Sequence, residues 1–145
     1  MQKFRFPLEK LLRLRAQQER IARRELARNM AEVGEVESRL TALEESLQAC
    51  RSEIGSTTPI AGLARALEVG LLHSRTFALG ELRKAEKHLE IARETYREQF
   101  RDFTALQRLR EKRHAAWLAQ TEKESQAELD EMARVRHAKG QGREQ

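Results

Sequence analysis

The chain has 145 residues, of which 35% are charged and 5% aromatic, with two prolines, seven glycines, a mean hydropathy of -0.75 and a net charge of +5. Its apolar fraction is carried largely by Leu and Ala, which suits long helices and excludes a sandwich or a doubly wound sheet. Such a chain buries a thin stripe and has little left to wall an enclosed pocket, which argues against an enzyme.

The N-terminal segment is basic: residues 1–30 hold nine Lys/Arg against three Glu, whereas residues 31–62 hold two Arg against six Glu. It resembles a mitochondrial presequence in being amphipathic and Arg-rich, but Glu9, Glu19 and Glu25 interrupt it. Proline at the first helical position costs no hydrogen bond, so a helix is expected from Pro7, with Phe4 and Phe6 just outside it. From Leu8, steps of four and three residues reach Leu12, Arg15, Glu19, Ala22, Leu26, Asn29, Val33, Val36, Leu40, Leu43, Leu47, Cys50 and Ile54, and eleven of the fourteen positions are apolar. So narrow a seam is covered by a partner helix, which predicts a coiled-coil strand about 70 Å long at ~1.5 Å per residue. Leu11, Leu14 and Ile21 add a second apolar edge, which either covers the aromatics locally or docks another protein. Cys50, the only cysteine, lies on the seam as a small apolar thiol and fits a reducing compartment.

Gly55, the Ser-Thr-Thr run and Pro59 end this helix, and Thr58 reads as the N-cap of a shorter helix from about Ile60 to Leu72, whose end Gly70 and His73-Ser74 leave open. A second long helix follows, with its seam at Leu82, Ala85, Leu89, Ala92, Tyr96, Gln99, Phe103 and Leu106. The expected fold is all-α: a long antiparallel two-helix coiled-coil hairpin with a short helical segment near the turn. Its parts are a single hairpin over residues 1–138 (helix one about 7–54, turn and short helix about 55–73, helix two about 74–138) and a disordered tail over 139–145. A turn centred near residue 65 would set Leu12 beside Trp117 and Leu118, and Arg15 and Glu19 opposite Arg110, Glu111 and Arg113.

The four histidines and the cysteine have no metal-binding spacing, no phosphate-binding glycine loop occurs, and the carboxylates have no enclosing walls, so neither a metal, a cofactor nor a catalytic residue is expected. The longest apolar run, Ala115 to Ala119, is far short of the ~18 residues of a membrane span. Arg13, Arg15, Arg20, Arg23, Arg24 and Arg28 could track phosphates or a membrane surface; no aromatic platform interleaves with them, and the same arginines suit a solvated helix exterior.

The opening F-R-F-P-L-E-K-L-L-R-L-R from Phe4 to Arg15 and E-x-x-A-x-x-E-L-A from Glu19 to Ala27 resemble the start of the FliJ family of flagellar type III export proteins. Lys84-Ala85-Glu86, Leu106 to Lys112, Trp117 and Glu128 to Ala133 continue the resemblance. It implies a non-enzymatic stalk in the pore of the flagellar export ATPase, which promotes the hexamer and links it to the transmembrane export gate and to export chaperones. It also implies a cytoplasmic protein held peripherally at the inner membrane of the flagellar base. Carried over by position, Phe4, Phe6, Leu11, Arg13, Trp117, Leu129, Asp130 and Arg136 would meet the ATPase, and Leu43, Leu47, Cys50, Phe77, Leu79 and Leu82 the gate. The stalk protein of injectisomes is similar, and a basic nucleic-acid-binding helix remains the alternative of another class.

Overall fold

The computed structural model describes residues 3–55 and 59–141. Thr58, the expected N-cap, and residues 142–145 of the expected tail lie outside the described residues. Two helices and no strand occur among the described residues: α1 (Glu9–Ile54) and α2 (Ala61–Gln141).

At the start of α1, Pro7 and Leu8 form a turn, the Glu9 N–H donates to the Phe6 carbonyl at 3.1 Å, and the Leu12 N–H donates to the Leu8 carbonyl at 2.8 Å. Glu9 places an acid in the first turn and Arg51 a base in the last, and both complement the helix dipole. The Gly55 N–H closes the C-terminal end on the Arg51 carbonyl at 3.2 Å.

The second helix differs from expectation. No separate short helix precedes it; α2 runs unbroken through Gly70, His73 and Ser74 and reaches Gln141, so Lys139 to Gln141 are helical rather than part of a tail. The seam explains this, because Ala61, Ala64, Glu68, Leu71, Arg75 and Ala78 are buried or half-buried and extend the Leu82-to-Leu106 row back to the first residue of α2. Burial along that row outweighs one interior glycine, which costs about 1 kcal/mol relative to alanine. A Cβ on Gly70 would meet nothing within 4 Å. Gly70→Ala is therefore expected to raise the urea unfolding free energy by about 0.5–1 kcal/mol; a fall would mean that Gly70 relieves a local constraint.

Contacts divide the chain into two compact units, Ala16–Phe100 and Met1–Arg15 with Arg101–Gln145. Within the first, Arg39 pairs with Glu81 at 3.1 Å, Glu44 with Arg75 at 3.7 Å and Arg51 with Glu68 at 3.1 Å, an antiparallel register. These exposed pairs fix alignment more than they stabilise it. The core lies between them: Val36, Leu40 and Ala78 are buried together, with Leu43, Leu79 and Leu82 packed against them. Polar seam positions are satisfied locally. Asn29 Nδ2 donates to the Glu25 carbonyl at 2.8 Å, and the buried Glu19 carboxylate accepts from Arg23 Nε at 3.1 Å. That hydrogen bond and the charge of Glu19, with a smaller contribution from Tyr96, raise the Arg23 guanidinium pKa above its ordinary value.

Within the second unit, Arg110 pairs with Glu9 at 3.0 Å and Arg15 with Asp102 at 3.4 Å. The expected register is corrected by about ten residues: Arg15 meets Asp102, not Arg110 to Arg113, and Trp117 lies against Phe4, not Leu12. The cause is that α2 already begins at Ala61, so the midpoint between the helices lies several residues before 65.

Candidate partner-binding surface

In the unit formed by Met1–Arg15 and Arg101–Gln145, the chain preceding α1 lies along α2 and brings the rings together. Phe4 meets the His114 ring edge-on with centroids 4.9 Å apart and an interplanar angle of 74°, and lies 5.9 Å from Trp117. His114 and Trp117, one helical turn apart on α2, stack at 5.9 Å. Phe6 is buried, with the Arg113 guanidinium 5.9 Å from its ring centroid. Such aromatic and cation–π contacts are each worth about 0.5–1.5 kcal/mol beyond area burial. They pin the segment before Pro7 to α2 and leave Phe4 and Trp117 half-buried.

Past Trp117 the helix is largely bare: from Leu118 to Gln141 every residue except Thr121 is exposed. The contacts found there are intrahelical, between Gln120 and Glu124, Gln126 and Asp130, and Glu131 and Arg134. Leu118, Leu129, Met132 and Val135 stand open to solvent at 42–57% of their full exposure. Large apolar side chains in a row on a bare helix are the feature of this unit that a partner protein could cover.

The residues expected to meet an ATPase thus fall in two groups. Phe4, Phe6 and Trp117 form the ring cluster, and Leu11 and Arg13 are exposed on the first turns of α1. Leu129, Asp130 and Arg136 lie a further 12 to 19 residues along α2. His114 and Arg113 belong to the cluster and escaped the sequence reading; His114 three residues before Trp117 was the available signal.

In the unit Ala16–Phe100, the residues expected to meet a gate are divided by burial. Leu47 and Cys50 are buried in the seam, and Leu43, Leu79 and Leu82 pack on the Val36 cluster. Phe77 is 71% exposed, above a shallow groove lined by Arg39, His73, Ser74 and Glu81. A second open groove nearer Ala16 has Ile21 and Ile91 on its rims, Ala22 and Ala92 in its floor and Arg28 and His88 beside it. Gln99, which also lines it, has a buried Oε1 with no hydrogen-bond partner.

No group of His, Cys, Asp and Glu able to hold a metal occurs among the described residues, and no helix among them is long and apolar enough to cross a membrane. No curated protein and no solved structure matches the chain. One sequence family does: its model, described as the flagellar FliJ protein, matches residues 4–142. With a two-helix hairpin in place and nearly the whole length matched, the chain belongs to the FliJ family of flagellar proteins.

Proposed function

We propose that the protein is a non-enzymatic component of the flagellar type III export apparatus, a stalk that binds the export ATPase and promotes its hexamer. The observation that carries this reading is the bare end of α2 beside the ring cluster, where an aromatic pad and an exposed apolar helix adjoin. Phe4, Phe6, Trp117, Leu11 and Arg13 form the first part of the ATPase-binding surface, and Leu129, Asp130 and Arg136 the second. Lys3, Arg5, Lys10, Arg13 and Arg15 make the N-terminal portion of this unit basic, which favours encounter with an acidic pore and makes association salt-dependent.

Coupling to the transmembrane export gate belongs to the Ala16–Phe100 unit. Of the six residues assigned to it, Phe77 is the one largely open to be covered; Leu47 and Cys50 are buried, and Leu43, Leu79 and Leu82 pack on the Val36 cluster. The grooves at Phe77 and at Ile21/Ile91 are suited to helical export chaperones. The protein works in the cytoplasm, peripherally at the inner membrane beneath the flagellum.

The test is ATP hydrolysis by the export ATPase of the same organism with and without this chain, with sedimentation following ring assembly. Stimulation together with hexamer formation is expected, and absence of both at every salt concentration would overturn the reading. Phe4→Ala combined with Leu11→Ala is expected to weaken ATPase binding by at least about tenfold with helicity by circular dichroism unchanged. Lost helicity instead would mean that the two side chains hold the end of α1 and not the partner.

A further inference from the structure

The exposed end of α2 carries a pattern that is its own complement. Along one face, Leu118, Thr121, Ser125, Leu129, Met132 and Arg136 follow at steps of three or four residues, with Glu128 and Val135 flanking. Charge along the same stretch is divided: Glu122, Glu124, Glu128, Asp130 and Glu131 precede Met132 with Lys123 as their single opposing charge, and Arg134, Arg136 and Lys139 follow it. Glu122, Glu128, Arg136 and Lys139 form no ion pair among the described residues.

We infer that a second copy of this chain docks antiparallel on residues 123–141, with the two-fold axis at Met132. Turned end for end about that point, Leu129 comes level with Val135 of the second copy and Glu128 with its Arg136. Lys139 of the second copy falls between Glu124 and Glu128. A parallel alignment would also stack Met132 on Met132, but it would set Glu128 level with Glu128 and Arg136 level with Arg136, so charge selects the antiparallel one. The interface is isologous, each contact occurring twice. It goes beyond the stalk reading and opposes it in one respect: the dimer covers Leu129 and Arg136, so self-association and ATPase binding compete for one surface.

Sedimentation of the full chain from about 1 to 500 μM is expected to show a reversible shift from the 16.8 kDa monomer to a dimer, weakened by added salt. Glu128→Arg and Arg136→Glu should each raise the dissociation constant at least about tenfold, and the two together should restore it. Met132→Glu should abolish the dimer without loss of helicity. In a Cys50→Ala background, Met132→Cys is expected to form a disulfide-linked dimer under mild oxidation. Ser125→Cys should not, because its two copies would lie about 21 Å apart along the axis at ~1.5 Å per residue. A chain monomeric across the whole range, a dimer indifferent to the charge exchange, or Ser125→Cys linking as readily as Met132→Cys would each overturn the inference.

Discussion

Shortening the chain after Trp117 is expected to abolish stimulation of the export ATPase while moving the thermal unfolding midpoint by no more than about 2 °C. The two halves of that expectation rest on one observation, the exposure of nearly every residue from Leu118 to Gln141. A segment exposed at every residue but Thr121 adds little to stability beyond its own helical hydrogen bonds. The same exposure leaves Leu129, Met132 and Val135 for a partner to cover. Helicity should fall roughly in proportion to the residues removed, and a midpoint lowered by about 10 °C would show the segment to be structural. Because the truncation also removes the self-docking face, Glu128→Arg with Arg136→Glu in the full chain separates the two roles: it should preserve the dimer, and any loss of ATPase stimulation then belongs to the ATPase contact alone.

The second large effect concerns the Ala16–Phe100 unit, where Val36→Asp is expected to cost about 3–5 kcal/mol in denaturant unfolding. Val36 is 3% exposed and packs with Leu40 and Ala78. A carboxylate there must either be buried without a partner or force the helices apart. A broad core could redistribute the damage, whereas a seam one side chain wide has no second layer to do so. The matched control is Glu37→Asp on the exposed side of the same turn, which should change stability by less than about 0.5 kcal/mol. Comparable losses for both would mean that helix propensity, not seam burial, governs this region.

The first seam was fully legible: all fourteen positions from Leu8 to Ile54 are buried or half-buried, including Arg15, Glu19 and Asn29, whose polarity spacing alone overrode. The second was legible only where it is written in large apolar residues. Between Ala61 and Ala78 the seam also holds the half-buried Glu68 and Arg75, which pair with Arg51 and Glu44 across the helices. No pattern within α2 announces such partners, so Gly70 and His73-Ser74 read as a break, and the register slipped with them. For the candidate site, proximity was the missing quantity. Phe4, Phe6 and Trp117 were chosen by family position, and the packing of the N-terminal segment onto α2 is what joins them with Arg113 and His114. The gate candidates were chosen as a cluster of apolar residues, and such a cluster on a hairpin is core unless, like Phe77, it points away.

The buried row of α2 is built largely of Ala64, Ala78, Ala85 and Ala92, Ala78 packing against Val36 and Leu40, and no large side chain anywhere among the described residues is fully enclosed. Heat capacity of unfolding rises with the apolar surface newly exposed to water, and alanine exposes little. Calorimetry should therefore give a per-residue value below the ~12–15 cal/mol/K of globular domains. A smaller heat capacity flattens the dependence of stability on temperature, so the midpoint rather than the curvature would set how much of the hairpin's margin is lost on cooling.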